Sequence, residues 1–186
     1  DGAKLQDRGY TYDPVGNITD VTDGVEKRHF AGNAVAEPGA RYAYDPLYRL
    51  VKASGRERRE LGAAAPTGSW GDSPPYRAAG GDDSSIRTYA REYDYDRVGN
   101  IQTVRHRRDT WDGPVEWTRD YTYEPASNRL ASVDGRDFDH DAHGNMTAMP
   151  NLRELGWNHR DELERAARSD DQTAWFTYDA GGQRVR

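Results

Sequence analysis

The chain repeats itself. Tyr10-Thr-Tyr-Asp-Pro-Val-Gly-Asn-Ile18, Tyr42-Ala-Tyr-Asp-Pro-Leu-Tyr-Arg-Leu50, Tyr93-Asp-Tyr-Asp-Arg-Val-Gly-Asn-Ile101 and Tyr121-Thr-Tyr-Glu-Pro-Ala-Ser-Asn-Arg-Leu130 follow one template. Three degenerate copies follow: Phe138-Asp-His-Asp-Ala-His-Gly-Asn-Met146, Leu155-Gly-Trp-Asn-His-Arg-Asp-Glu-Leu163 and Phe176-Thr-Tyr-Asp-Ala-Gly-Gly-Gln-Arg-Val185. The third positions are Tyr12, Tyr44, Tyr95, Tyr123, His140, Trp157 and Tyr178, separated by 32, 51, 28, 17, 17 and 21 residues. A self-similar unit of this size is the mark of a repeat architecture in which each unit buries its apolar surface against its neighbours. Here the basic unit is too short for a helix and a strand with their loops, which leaves strand pairs.

The template has a mechanical reading. Aromatics at its first and third positions share one face of an extended strand, because side chains alternate with period two. The acid at the fourth position (Asp13, Asp45, Asp96, Glu124, Asp179) opens a turn by accepting hydrogen bonds from the backbone two residues on. Pro presets φ, and Gly16, Asn17, Gly99, Asn100, Asn128, Gly144, Asn145 and Gly182 stand where a reversal needs positive φ. An aliphatic residue starts the return strand. Each unit therefore reads as a β-hairpin, and the series predicts an all-β fold of consecutive antiparallel hairpins forming a coiled strip. After each turn the first apolar residue has an apolar or small partner three positions on: Ile18/Val21, Leu50/Ala53, Ile101/Val104, Leu130/Val133, Met146/Met149 and Leu163/Ala166. A regular strand would put such pairs on opposite faces, and a β-bulge between them returns both to one face.

Composition narrows the core. Leu, Ile, Val and Phe make up only 24 of 186 residues, which disfavours an aliphatic core, while 12 Tyr and 5 Trp supply rings that can replace it. The expectation is a packed aromatic face opposite a polar one. There is no Cys, so disulfides and zinc–thiolate sites are excluded. With 26 basic against 32 acidic residues, and Arg105-His-Arg-Arg108 as the densest basic stretch, nothing suggests nucleic-acid binding. No apolar run reaches the roughly 18 residues of a membrane helix, and the first residues do not resemble a signal peptide.

The chain reads as one repeat domain over residues 1–186, interrupted at about 61–85 by an insertion rich in Gly, Pro, Ala and Ser. Residues 151–169 have some helical spacing, yet their copy of the template keeps them a strand pair. Of the chemistry-bearing patterns, the recurring carboxylates fit turns better than acid–base pairs, so no catalytic, cofactor or metal residues are expected. The acidic run at Asp137-Phe-Asp-His-Asp141 lacks Gly at the sixth position of a calcium loop and Glu at the twelfth. Asn17-Ile-Thr19 and Asn145-Met-Thr147 fit the glycosylation pattern but read as turn residues. Trp111 and Trp117 flank Asp112-Gly-Pro114 in an apparent hairpin between repeats, where they pack on a neighbour or stack on a sugar.

These residues resemble the RHS/YD-repeat family, whose signature is aromatic-x-Tyr-Asp, two variable residues, Gly or Asn, then an aliphatic. In particular, the segments at residues 42–57, 155–163 and 175–185 recur in the same order in the RHS portion of the C component of Tc-type insecticidal toxin complexes. The resemblance implies a strip wound into a hollow shell around a toxic C-terminal polypeptide. In that family a later core domain carries an aspartyl self-cleavage site, with the cargo after it. This sequence ends at Arg186 before any such motif, so the expectation is a non-enzymatic shell segment without protease or toxin activity. Its implied partners are the rest of the shell, its cargo and other toxin-complex subunits, in a secreted or cell-surface setting. Open strand edges allow self-association. The alternative is a cell-surface carbohydrate-binding or adhesion module using Trp111 and Trp117.

Overall fold

A computed structural model describes residues 4–26, 28–31, 34–59 and 85–185. Every named element among them is a strand. The order is β1 (Arg8–Tyr12), β2 (Ile18–Asp23), β3 (His29–Ala31), β4 (Ala34–Ala36), β5 (Gly39–Tyr44), β6 (Leu50–Arg58), β7 (Ile86–Tyr95), β8 (Ile101–Arg108) and β9 (Val115–Tyr123). It continues with β10 (Leu130–Val133), β11 (Arg136–Asp137), β12 (Asp139–His140), β13 (Met146–Ala148), β14 (Glu154–Trp157), β15 (Leu163–Ser169) and β16 (Gln172–Trp175). The insertion expected at 61–85 lies outside the described residues except for Ser85. The chain forms two compact units whose boundary falls inside β9, between Arg119 and Asp120.

In the first unit the strands lie side by side in the order β1-β2-β5-β6-β7-β8, with β9 next to β8, and β3 and β4 form a separate hairpin. In the second unit β9 continues into pairing with β10, and β10 pairs with β11. The β12–β13 pair and the β14-β15-β16 sheet complete it. The strand pair expected within residues 151–169 is β14–β15, and the Trp111–Trp117 segment joins β8 to β9.

The bulges fall where the apolar spacing requires them. Tyr12 pairs with Ile18 but Thr11 with Asp20, which leaves Thr19 as the extra residue. The same two-against-one step leaves Val51, Gln102, Ala131, Thr147 and Glu164 extra in the next five hairpins. Beyond the bulge Ala53 faces Tyr42 and Val104 faces Tyr93, so both members of each apolar pair share a face.

The core differs from the expected packed face of rings. The buried apolar residues are Ala36, Ala53, Ala90, Val104, Val133, Leu155 and Ala167, and the largest fully buried side chains are His106 and Glu57. No Tyr, Trp or Phe among the described residues is fully buried, and Tyr10 and Tyr12 are largely exposed. The physical reason is that Tyr44, Tyr95 and Tyr178 carry a hydroxyl that bonds a carbonyl of the neighbouring hairpin, which keeps these rings only partly buried.

Candidate functional site

The repeat fourth position builds one turn many times over. Asp13 Oδ1 accepts from the Val15 N–H at 3.0 Å and the Asn17 N–H at 2.9 Å, while Asn17 Nδ2 donates to Asp13 Oδ2 at 2.8 Å. The backbone closes the loop twice, Asp13 N–H to Asn17 O and Gly16 N–H to Asp13 O. Asp45 holds Leu47 and Arg49, Asp96 holds Val98 and Asn100, and Asp141 holds His143 and Asn145 in the same way. Asn158 and Asp179 do so for Arg160 and Glu162, and for Gly181 and Gln183. Glu124 opens a longer turn that contains Asn128 and closes on Arg129, with the Ser127 hydroxyl donating to its carboxylate.

Three residues after the acid, the backbone enters the left-handed region: φ is 97° at Gly16, 100° at Gly99, 93° at Gly144 and 78° at Gly182, whereas Asn17, Asn100, Asn128 and Asn145, expected to share that role, keep negative φ because the glycine or another residue of the turn already makes the reversal. Tyr48 at 62° and Asp161 at 57° hold the same conformation without glycine. The spacing identifies both positions only once the turn is known to tolerate other residues there.

These bonds tune the carboxylates. At Asp45 the Arg49 N–H, followed by the Arg49 side chain and the Leu47 N–H, outweighs desolvation and holds the carboxyl below its ordinary value. At Asp13 desolvation is the largest influence and pushes upward, but the Asn17 side chain and the turn N–H groups together win and leave it lowered. Asp96 and Asp141 are lowered by the same balance.

The repeat third position links one hairpin to the next. The Tyr44 hydroxyl donates to the Ile18 carbonyl at 2.9 Å, Tyr95 to Leu50 at 2.8 Å and Tyr178 to Leu163 at 2.9 Å. Trp157 does the same through Nε1, to the Met146 carbonyl at 2.8 Å. In each case the acceptor is the first residue of the preceding return strand, the residue at the mouth of the bulge. His140 occupies the same position in the fifth copy, and its buried Nδ1 finds no hydrogen-bond partner among the described residues. Turns are tied to turns as well, by Arg49 Nη1 to the Asp96 carbonyl at 3.0 Å and by Asn145 Nδ2 to Asp161 at 2.8 Å.

A second constellation escaped the repeat pattern. Glu57 on β6 lies directly opposite Arg87 on β7, and Arg91 lies opposite His106 on β8. Glu57 Oε1 accepts from Arg87 Nε at 2.9 Å and meets His106 Nε2 at 3.1 Å, while both oxygens of Glu116 accept from Arg87. Burial works against the Arg87 charge, but its hydrogen bonds to Glu116 and the two carboxylate charges outweigh it and raise its pKa. His106 is stacked between Trp117 at 4.7 Å and Tyr89 at 5.4 Å. Glu57, His106 and Glu116 present ligand atoms within 4.8 Å of one another, a donor set that suits a metal. The Arg87 guanidinium, however, already supplies the positive charge between the two carboxylates, and the arrangement is a self-neutralised ion network. The one sequence signal for it is Arg87-x-Tyr-x-Arg91-x-Tyr93, four long side chains on one strand face.

Serial antiparallel hairpins with a recurrent Asp- or Asn-closed turn, a recurrent bulge and, in four of them, a ring-to-carbonyl link to the preceding hairpin define a repeat protein of the RHS/YD type. Over nearly its whole length the chain is similar to subunits of Tc-type toxins. It is 35% identical to the toxin subunit YenC2 of Yersinia entomophaga over 99% of its length and 20% of that protein. It is 33% identical to the toxin subunit YenC1 of the same organism, again over 99% of its length and 19% of that subunit. Among solved structures it matches the TcdB2–TccC3 crystal structure with a TM-score of 0.71 at 30% identity, over 97% of this chain and 9% of that one. The Tc holotoxin pore of Photorhabdus luminescens matches with a TM-score of 0.70 at 28% identity, over 97% and 8%. The chain spans about a fifth of the length of the curated relatives it matches. No family profile matches it.

Proposed function

We propose that the chain is a non-enzymatic segment of an RHS-repeat shell that encapsulates a polypeptide within a secreted toxin complex. Its partners are then the remaining repeats of the shell, the enclosed cargo and other subunits of the complex. The observation that carries this reading is the ring-to-carbonyl link at Tyr44, Tyr95, Trp157 and Tyr178, which fastens these hairpins to the one before. A module whose stabilising contacts run only to its neighbours extends a wall without closing a core. The chemistry supports the same reading. The repeat aspartates Asp13, Asp45, Asp96, Asp141 and Asp179 are committed to backbone N–H groups, and the Glu57–Arg87–His106 cluster is closed to substrate, with Glu57 and His106 at 0% exposure. The relatives are named as toxin subunits, in agreement with a role in such a complex.

The test is a segment exchange. The chain replaces the matching stretch of YenC2, with a reporter polypeptide fused downstream, and protease digestion of the assembled product is followed over time. A shell segment leaves the reporter protected, and Asp45→Ala combined with Asp96→Ala exposes it. Digestion as fast as in a control lacking the stretch overturns the proposal.

A further inference from the structure

We infer that His106 is a proton-operated latch in the first unit: its neutral ring holds the Arg91 guanidinium, and a proton added at Nδ1 drives Arg91 off. The ring is fully enclosed by three other strands. From β6, Glu57 Oε1 meets Nε2 at 3.1 Å. From β9, Glu116 Oε2 comes within 3.8 Å of the same nitrogen, and Trp117 stacks on the ring with planes 6° apart. From β7 come Tyr89, stacked at 5.4 Å, and Arg91, whose Nε lies 3.3 Å from Nδ1. Two further cations complete the surroundings. Arg87 on β7 bridges the two carboxylates, and Arg119 on β9 lies 5.8 Å from the Trp117 centroid.

The two ring nitrogens are under opposite demands. Nε2 faces carboxylates, which keep a proton on it in either charge state of the ring. Nδ1 faces an N–H group, so it serves only as an acceptor while Arg91 stays, and only the neutral ring has a lone pair to offer there. With His106 neutral, Glu57 and Glu116 are balanced by Arg87 and Arg91. A second ring proton adds a charge to that balanced set and turns the 3.3 Å contact into two donors and two cations face to face, in a buried site where like charges repel more than in water. The Arg91 contact is the one that opens, because the others gain. The carboxylates bond a cationic ring more strongly than a neutral one, and Glu57 Oε2, buried without a hydrogen-bond partner among the described residues, has unused capacity for it. Trp117 and Tyr89 present π faces to the same charge. Arg91 is only partly buried, so it has solvent to move into, leaving its places 5.0 Å from the Tyr89 ring and 5.4 Å from that of Trp117. Arg91 and His106 stand directly opposite each other on β7 and β8, so the latch acts on that strand pair. This inference does not rest on the shell reading.

The experiment is nitrogen NMR of the isotope-labelled full chain from about pH 8 to about pH 5, the range in which histidine switches charge. The turn carboxylates of Asp13, Asp45, Asp96 and Asp141, already lowered from 3.8, stay ionised throughout, so the turns do not contribute. The expected result is that the His106 Nδ1 shift passes from bare to protonated and that the Arg91 Nε–H signal moves with the same midpoint. Arg91→Met removes the opposing cation and is expected to raise the His106 midpoint by at least about half a pH unit. His106→Gln keeps an acceptor for Arg91 but takes up no proton, and is expected to leave the Arg91 signal flat across the range, so the test survives if Arg91→Met fails to fold. The inference is overturned by a His106 that stays in its Nε2–H form throughout, by an Arg91 signal that does not follow the His106 midpoint, by an unchanged midpoint in a folded Arg91→Met chain, or by an Arg91 signal that still moves in His106→Gln.

Discussion

At the scale of single residues, the tyrosine hydroxyl does what the rings were expected to do alone. Tyr44 and Tyr95 each satisfy a carbonyl at a bulge, so Tyr95→Phe is expected to cost about 0.5–1.5 kcal/mol in urea unfolding while removing a single atom. Burial is the first cause that raises the pKa of both hydroxyls above the ordinary 10. A folded pKa above the unfolded one means that this stabilisation is complete below the unfolded value and is lost as the pH rises through the folded values. An alkaline transition above about pH 10 is therefore expected, and Tyr95→Phe should shrink the pH-dependent part of it. His106 carries a more specific signature. Arg91 Nε–H donates to its Nδ1 at 3.3 Å, so the ring proton belongs on Nε2, which then donates to Glu57. Nitrogen shifts of the imidazole should report the Nε2–H tautomer. Arg87→Met leaves two carboxylates facing each other without their cation and is expected to destabilise the fold by about 3–5 kcal/mol, measured by thermal unfolding.

At the scale of the hairpin, the turn and the bulge form one device. The acid sets the reversal, the left-handed residue completes it, and the extra residue after it brings two apolar side chains to one face. At Gly99 a Cβ would meet nothing within 4 Å, so Gly99→Ala isolates the backbone cost of φ 100°, about 1–2 kcal/mol by chemical denaturation. Lowered folded pKa values at Asp13, Asp45, Asp96 and Asp141 make the turn contribution complete above the unfolded value of about 3.9 and lost as the pH falls through the folded values. Much of this device was legible in the sequence. The Ile18/Val21 spacing announced the bulge, and Asp13 to Gly16 announced the turn, because both depend on contacts within a few residues. Tyr48 and Asp161 were not legible as left-handed positions, since a non-glycine there is fixed by surrounding bonds and not by its own preference. The hydroxyl link was hidden too, because its acceptor lies in another copy, 26 residues away in the case of Tyr44.

At the scale of the molecule, stability is spread over neighbour-to-neighbour links and not concentrated in a common centre. Beyond the Arg87-x-Tyr-x-Arg91 alternation, the ion network of Glu57, Arg87 and His106 was hidden in the sequence because it joins strands on either side of the long insertion, with Glu57 and Arg87 30 positions apart. All five residues of β1 are exposed, and among the described strands β1 stands first in its sheet with one edge unpaired. Such an edge recruits other strands. Sedimentation at rising concentration is expected to reveal self-association that Tyr10→Lys with Tyr12→Lys suppresses. The chain lengths between strands carry a different consequence. The acid turns keep nearly constant length, from Asp13–Asn17 to Asp179–Gln183, whereas the joins from β2 to β5, β6 to β7 and β8 to β9 vary freely. One margin of the hairpin series is thus under strict metric control and the other is open to insertion. Lineages can acquire new surface on the permissive margin without disturbing a single repeat, and a designer can graft foreign loops at 109–114 for the same reason.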